Sequence, residues 1–482
     1  MDNSKIFSNM IWRFAERCGA QIVTFIVSII LARLLTPEDY GTIALVTVFT
    51  TILNVFVDSG LGTSLVQKKD TDDIDFSTVF YTNICICIVL YCGMFLASPI
   101  ISNFYDKPDL VPIVRVLSLT LIISGVKNIQ QAYVSKNMMF KRFFFATLGG
   151  TLGAAILGIT MAYLGFGVWA LVAQQLFNST VDTIILWITV KWRPINKFSF
   201  KRLKTLFGYG WKLLISALLD TSYNELRQLI VGKLYSSSDL AYYNKGDQFP
   251  RLIITNINTS IDSVLLPSMS SVQDNKEKIR NMTRRSIKTS VFIMAPLMLG
   301  LVAISDKVVL LLLTEKWLPC VPFLCVFCIT YIFYPIHTAN LNAIKAMGRS
   351  DLFLKLEIIK KIVGIIAILI TMNISVWAMC LSLLVTSVLC QIINAWPNNK
   401  LLNYNFFEQL KDIFPSIGMA MIMFTSVTAI NLINIPILIS AVLQILIGGI
   451  IYILLAKLLK IETYNYLANV ITPYINRFIK KI

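Results

Sequence analysis

The sequence contains little charge for its length. Only 14% of its 482 residues are charged and 56% are hydrophobic, whereas a soluble protein usually has about 25% charged residues. So few charges cannot cover the surface of a globular protein of this size. The composition therefore excludes an ordinary soluble protein and indicates one whose surface is largely in contact with lipid.

Residues that carry catalytic or metal chemistry are also scarce. His337 is the single histidine, and paired carboxylates and sugar-nucleotide motifs are missing. The nine cysteines are scattered, and the pair Cys325–Cys328, although spaced like a zinc or redox motif, lies in an apolar run without suitable partners. We therefore expect no enzyme activity, no cofactor and no metal site, with His337 linking helices by a hydrogen bond.

Long apolar runs, in contrast, recur from end to end. About 20 apolar residues cross a hydrocarbon core of about 30 Å. The pattern predicts an all-α polytopic membrane protein with about fourteen transmembrane helices. They fall near residues 12–35, 40–66, 78–98, 110–133, 143–164, 167–190, 207–232, 250–270, 287–313, 321–344, 356–374, 376–396, 413–433 and 435–456.

The basic residues predict the orientation. With both termini in the cytoplasm, the inner loops hold 28 Lys and Arg and the outer loops seven, as the positive-inside rule requires. The net charge of +17 is then explained by topology and by attraction to anionic membrane lipids. We expect no nucleic-acid partner, even for the basic stretch 191–204.

A weak internal repeat divides the chain. "ILARLLTPEDYGT" (30–42) aligns with "IVGKLYSSSDLAY" (230–242) at an offset of 200 residues. Six predicted spans separate the copies, so the two halves have the same orientation, a repeat typical of two-lobe transporters with a site between the lobes.

The repeat predicts five parts. They are an N-lobe with helices 1–6 (1–190), a basic cytoplasmic linker (191–206), a C-lobe with helices 7–12 (207–397), two appended and nearly uncharged helices (412–458), and an amphipathic basic cytoplasmic tail (459–482). The longest outer connection is expected at about 233–250, which is short for a membrane polymerase.

Cationic residues fall within the predicted spans and form stripes with other polar residues. A charge at the centre of a membrane costs roughly 2.5–3.5 kcal/mol on insertion scales, so such stripes indicate a face turned to water or protein. The predicted cationic cavity is lined by Arg13, Arg17, Lys127, Lys212 and Arg227.

Uncharged and acidic residues accompany these cations. The predicted polar lining is Gln21, Asn54, Gln131, Asn178, Tyr223, Asn224 and Asn256. The predicted charge partners or coupling-ion ligands are Glu16, Asp58, Asp182, Asp220, Glu225 and Asp262. The alternative for each single polar residue is helix packing. A cationic cavity suits an anionic, hydrophilic cargo such as a phosphate-linked sugar.

Three segments carry a family resemblance. "LARLLTPEDYGTIAL" (31–45), "LIVGKLYSSSDLAYYNKGDQFPRL" (229–252) and "NLNAIKAMGRSDLFLKLEIIKK" (340–361) resemble polysaccharide exporters. These are the Wzx-type and teichuronic-acid-exporter-like flippases, also called lipopolysaccharide biosynthesis proteins, of the multidrug/oligosaccharidyl-lipid/polysaccharide superfamily. The resemblance implies their two-lobe fold, like that of the multidrug exporters.

The resemblance also implies a function. Family members move an oligosaccharide linked to undecaprenyl pyrophosphate from the inner to the outer leaflet of the bacterial cytoplasmic membrane by alternating access. A functional monomer is expected, with a polysaccharide polymerase and a chain-length regulator as possible partners. Two alternatives stay open: a peptidoglycan-precursor flippase or multidrug exporter of the same superfamily, and, less favoured, a membrane polymerase or glycosyltransferase.

Overall fold

The computed structural model describes residues 3–58 and 60–479, without the side chains of residues 3–11, 13–14, 209, 470–471 and 473–479. Within the described residues it contains nineteen α-helices and no β-strand. Ten helical segments there are long and apolar enough to cross a membrane. The prediction of an all-α, multi-pass membrane protein is confirmed.

The chain forms two compact units, Met1–Ala241 and Tyr242–Ile482. The helices of the first unit are α1 (Asn3–Leu34), α2 (Pro37–Asp58), α3 (Leu61–Gln67), α4 (Asp73–Tyr105), α5 (Leu110–Leu117), α6 (Leu119–Lys136), α7 (Lys141–Tyr163), α8 (Val168–Thr189) and α9 (Phe200–Leu234).

The boundary between the units falls near the start of α10 (Ser237–Ser270). The helices that follow are α11 (Lys276–Ala303), α12 (Ser305–Leu312), α13 (Val321–Ile332), α14 (Tyr334–Ala346), α15 (Ser350–Thr371), α16 (Val376–Leu402), α17 (Phe406–Thr428), α18 (Ile437–Leu458) and α19 (Glu462–Ile479).

Each of the fourteen predicted spans matches one long helix or two consecutive shorter ones. Spans 2, 4, 9 and 10 are each interrupted, as at Ser118 between α5 and α6 and at Phe333 between α13 and α14. Four matching helices, α8, α9, α10 and α15, have 22 to 35 residues. They are long enough at 1.5 Å per residue but are not among the ten apolar segments.

The two copies of the repeat form the same turn before a helix. Thr36 Oγ1 donates to Asp39 Oδ2 at 2.7 Å, and the Asp39 amide donates back to Thr36 Oγ1 at 3.2 Å. Ser236 and Asp239 repeat both bonds at 2.6 and 3.1 Å. This reciprocal bonding satisfies amide groups that a helix start leaves unpaired.

The two turns also touch within the first unit. A Cβ atom on Gly41 would lie 1.8 Å from the backbone oxygen of Ser237, so the backbones of α2 and α10 approach too closely for any side chain. At the same end, a Cβ on Gly232 would lie 2.3 Å from Leu45 Cδ2. Glycine at 41 is therefore a packing requirement.

The basic linker is folded onto the first unit. Trp192 is buried against Phe76, Phe80 and Tyr133, and its indole nitrogen donates to Asp73 Oδ1 at 3.1 Å. The linker thereby fixes the start of α9, which packs against α2, α3 and α4.

Helix α11 is the centre of the second unit and packs against α13, α14 and α17. Its basic first half is held by acids on α17, because Arg284 donates twice to Asp412 at 2.6 and 2.7 Å and Arg280 pairs with Glu408 at 3.2 Å. Helix α18 packs on α17. The two helices predicted to be appended, α17 and α18, thus join the rest of the second unit mainly through α11.

The expected outer connection at 233–250 is wrong. Helix α9 ends at Leu234 and α10 begins at Ser237, so the connection has two residues. The polar stretch that suggested a loop is helical because its charged residues Lys245 and Asp247 are buried in the second unit with partners.

The predicted lobe boundaries stay a prediction. They follow the sequence repeat, which starts the C-lobe at 207, whereas the compact units follow packing, which places α9 in Met1–Ala241. The two divisions group the helices by different criteria.

Candidate functional site

Helix α1 exposes two faces of opposite character. Arg17 and Thr24 are exposed on the predicted polar stripe. Ile22 and Ile26, 60% and 51% exposed, lie about half a helical turn away, on the opposite face. An apolar exposed face suits lipid, whereas an exposed arginine and threonine on the other face suit water.

The other predicted residues of α1 are placed less fully. The side chain of Arg13 lies outside the described residues. Glu16 accepts a hydrogen bond from Thr147 of α7 at 3.3 Å, and Gln21 is half-buried. Glu16 therefore joins two helices of the first unit.

Lys127 and Asp182 form an ion pair between α6 and α8. Their Nζ–Oδ2 distance is 3.2 Å, and the two side chains are 20% and 14% exposed. The next residue, Asn128, donates to Asp58 of α2 at 2.8 Å. In the structure Asp182 is therefore paired with an amine, whereas Asp58 contacts an amide.

Three amides predicted to line the cavity lie on different helices of the first unit. Asn54 and Gln131 are half-buried and Asn178 is exposed. None of these three side-chain amides makes a hydrogen bond to the described part of the chain. Uncommitted amides on membrane helices can bond a polar cargo or water.

Helix α9 carries the second predicted cation group. Lys212 and Asp220 are exposed, Asn224 is exposed beside Asp220 at 3.4 Å, and Tyr223 is half-buried. Arg227 is only 6% exposed. The two predicted cations of this helix therefore differ: the side chain of Lys212 is exposed, whereas that of Arg227 is buried.

Glu225 of α9 and the predicted residues of α10 make local or neighbouring bonds. Glu225 accepts from Gln228 at 2.8 Å. Asn256 donates to the carbonyl of Leu252 in its own helix at 2.8 Å. Asp262 accepts from Asn342 of α14 at 2.9 Å. The contacts of Asn256 and Asp262 therefore fit a role in helix packing better than a role in lining a cavity.

The predicted site does not include a group of buried charged residues on α10. Asp247 is 5% exposed and pairs with Arg251, and Tyr331 of α13 donates to it at 2.6 Å. Lys245 is equally buried and donates to Gln248 at 3.0 Å. The available signal was the spacing of Asp247 and Arg251, which places them on adjacent turns of one helix.

A cluster of neutral amides in the second unit was also missed in part. Asn340 and Gln409 exchange hydrogen bonds at 2.9 and 3.1 Å, and Asn398 donates to Asn340 Oδ1 at 2.8 Å. His337 contacts Ser387 at 3.4 Å and Asn394 at 3.1 Å. The prediction that His337 links helices is confirmed, here between α14 and α16.

The side chains of the first unit can bind a charged, polar ligand. The first unit holds an exposed arginine, an ion pair of modest exposure and uncommitted amides along membrane-length helices. The residues that the structure describes contain no group of three or more His, Cys, Asp or Glu that could hold a metal ion.

Known proteins share this sequence pattern and this fold. The chain is 24% identical over 351 residues to a teichuronic acid biosynthesis protein of Bacillus subtilis, covering 72% of each chain. Its structure matches a lipid II flippase in an inward closed conformation with a TM-score of 0.75 and 15% identity, covering 93% of this chain and 98% of the other.

A second solved structure extends the match to drug exporters. A multidrug resistance transporter of the multidrug/oligosaccharidyl-lipid/polysaccharide superfamily, in an inward-facing conformation, matches with a TM-score of 0.63 and 15% identity, covering 82% of this chain and 95% of that one. The fold is therefore that of this superfamily, as the resemblance implied.

The family profile described as "Polysaccharide biosynthesis protein" matches residues 30–322, which include both copies of the repeat, the cationic stripes of α6 and α9 and the linker between them. This chain belongs to the polysaccharide biosynthesis protein family.

Proposed function

We propose that this protein is a flippase that moves an oligosaccharide linked to undecaprenyl pyrophosphate from the inner to the outer leaflet of the bacterial cytoplasmic membrane. The observation that carries the proposal is the two-faced exposure of α1, with Arg17 and Thr24 on one side and Ile22 and Ile26 on the other. A membrane helix with a cationic water-exposed face provides a polar path for a charged headgroup.

The chemistry of the path suits a pyrophosphate with sugars attached. Arginine and lysine at positions 13, 17, 127, 212 and 227 would bind the phosphates. Amides at 21, 54, 131, 178, 224 and 256, with the hydroxyl of Tyr223, would bond sugar hydroxyls. Asp182, held 3.2 Å from Lys127, would neutralise that amine while no cargo is bound; Glu16, Asp58, Asp220, Glu225 and Asp262 are the other proposed charge or coupling-ion partners.

Family membership and the fold support the remaining parts of the proposal. Transport by alternating access of an N-lobe (1–190) and a C-lobe (207–397), without catalysis, fits a family of polysaccharide biosynthesis and a fold shared with transporters. The basic loops support cytoplasmic termini. The protein would act as a monomer and hand its cargo to a polymerase and a chain-length regulator.

Complementation tests the proposal. A strain lacking this protein, with no redundant exporter, should lose surface polysaccharide and accumulate the lipid-linked unit on the inner leaflet. The wild-type gene should restore export. Normal surface polymer in the deletion strain would refute the proposal.

A second candidate is transport of the peptidoglycan precursor. The specific observation is the match to a lipid II flippase, whose chain is covered to 98%. In that case depletion of the protein should arrest growth and cause lysis, whereas loss of a flippase for a surface polysaccharide should leave cells viable.

A polymerase or glycosyltransferase is disfavoured by the short connection between α9 and α10. Those two helices are separated only by residues 235 and 236, which leaves no sizeable loop there for acid and base residues. Covalent chain growth on a lipid-linked substrate incubated with the purified protein would reverse this view.

A further inference from the structure

A polar cleft of about 460 Å³ lies in the second unit between the basic first half of α11 and the start of α19. Its walls include Asn281, Arg285, Lys288, Glu462, Thr463 and Tyr466. None of these residues belongs to the predicted transport path. The cleft is therefore a separate candidate site.

The cations around the cleft differ in how fully they are neutralised. Arg284 donates two bonds to Asp412, at 2.6 and 2.7 Å. Lys288 lies between Asp412 at 3.6 Å and Glu462 at 3.2 Å. Arg285 instead lies over the ring of Tyr466, 4.7 Å from its centroid, and pairs with no carboxylate in the described part of the chain. Its guanidinium N–H groups remain available to an anion.

Uncharged donors complete the lining. Thr463 is 7% exposed and lines the cleft, and its hydroxyl makes no hydrogen bond to the described residues. Asn281 is exposed and is likewise uncommitted there. A guanidinium, a hydroxyl and an amide around one opening match the oxygens of a phosphate group.

The sequence around the cleft indicates a position at the membrane interface. Helix α11 changes from a basic segment ending at Lys288 to an apolar one from Val291, and α18 ends at Leu458 just before α19. The sequence of α19 is amphipathic, with apolar residues at 467, 470, 471, 474, 475 and 478. Such helices lie in the interface among lipid headgroups.

We propose that this cleft binds the phosphate of an anionic phospholipid headgroup, on the side of the membrane predicted to be cytoplasmic. Basic pockets at that interface recognise such lipids. Arg285 supplies the charge-assisted bonds, Thr463 and Asn281 orient the phosphate, and the start of α19 closes the site, so lipid binding fastens the tail helix to α11.

Native mass spectrometry of the purified full-length protein tests the site. Phosphatidylglycerol and phosphatidylcholine are titrated separately into wild type, Arg285→Gln and Lys278→Gln. Lys278 is exposed on the same helix, outside the cleft, so its variant loses the same charge. Wild type should retain phosphatidylglycerol preferentially, Arg285→Gln should weaken that binding roughly tenfold, and Lys278→Gln should change it less than twofold.

A second variant and a competitor complete the design. Thr463→Val keeps the shape of the side chain and should weaken phosphatidylglycerol binding several-fold. Equal retention of both lipids, or equal binding by wild type and Arg285→Gln, would overturn the proposal. Inorganic phosphate binding as tightly as the lipid would overturn the lipid assignment. The readout is lipid binding, so failure here is distinguishable from failure of the proposed transport.

Discussion

At the scale of residues, Gly41 marks the place where two helix starts meet. Its missing side chain allows the backbone of Ser237 to approach, since a Cβ would lie 1.8 Å from that carbonyl oxygen. Gly41→Ala should lower the free energy of unfolding by about 2 kcal/mol or more, because neither backbone can yield easily. Thermal unfolding in detergent measures the loss.

Gly93 provides the control for this substitution. It also lies in a helix, and nothing lies within 4 Å of a Cβ built on it, so Gly93→Ala should be neutral or slightly stabilising. Equal melting temperatures for wild type and Gly41→Ala would contradict the close approach of α2 and α10.

Asp72 makes a second residue-scale prediction, on pH. It caps α4 outside the membrane, and its hydrogen bond with Arg202 lowers the pKa of its carboxyl from 3.8 to about 2. Because the folded-state pKa is depressed, the stabilisation is present above about pH 4 and is lost as the pH falls towards 2. Asp72→Asn, which keeps a capping oxygen, should remove this part of the pH dependence of the melting temperature.

Asp70→Asn is the matched comparison, since Asp70 is exposed two residues earlier. Its pH profile should follow that of wild type between pH 5 and 2. Identical profiles for all three proteins would show that the Asp72–Arg202 contact contributes nothing to stability.

At the scale of elements, one buried lysine links α12 to α18, which also packs on α17. Lys307 of α12 is 8% exposed and donates to Asn431 at 2.6 Å, to Gln444 at 2.7 Å and to Ser440. Gln444→Leu removes an acceptor of this buried charge and should cost about 1–3 kcal/mol. The melting temperature should fall by several degrees.

Thr425→Val serves as the control for that variant. Thr425 is exposed on α17 and bonds only carbonyls of its own helix, so its replacement should leave the melting temperature unchanged. A Gln444→Leu variant as stable as Thr425→Val would contradict the role assigned to Lys307.

Several elements could be predicted because the signal is strong and local. Each predicted span matches one long helix or two consecutive shorter ones, and the Thr36/Asp39 and Ser236/Asp239 pairs form the same turn at both copies of the repeat. The interruption at Ser118 could not be predicted, since apolar residues continue on both sides of it. Pro335, in contrast, is a sequence signal for the interruption at Phe333, because proline favours the first positions of a new helix.

The errors came from contacts that the sequence does not display. The polarity of the 233–250 stretch predicts a loop, yet Asp247 is buried against Tyr331, which lies 84 residues away. In the sequence Gln444 and Ser440 are isolated polar residues in an apolar run, whereas in the structure both bond Lys307. In both cases the structure depends on contacts with residues distant in the sequence, whereas the prediction used only local polarity.

At the scale of the whole molecule, the cationic stripe of α1 should be required for export. Arg17→Ala should reduce surface polysaccharide at least tenfold while the protein still inserts, because it removes a charge that would contact the pyrophosphate. Arg33→Ala is the matched control, because Arg33 is exposed on the same helix but on the face of Ile22 and Ile26. Export should persist in this variant.

Arg227→Ala tests the other end of the proposed path. Arg227 is enclosed in α9, so both export and stability are measured. Loss of export with unchanged abundance and melting temperature would support a transport role, whereas full complementation by both Arg17→Ala and Arg227→Ala would remove these residues from the site.

The proposed water-exposed path is tested directly by comparing the two exposed faces of α1 at one depth. Single cysteines replace Thr24 and Ile26 in a variant whose reactive native cysteines have been substituted, and a charged, membrane-impermeant thiol reagent is applied from each side. The two-faced exposure of α1 predicts that Thr24→Cys reacts, that the lipid-linked oligosaccharide protects it, and that Ile26→Cys stays unreactive in lipid. Unreactive cysteines at both positions, or equal reaction at both, would contradict a water-exposed path along this helix.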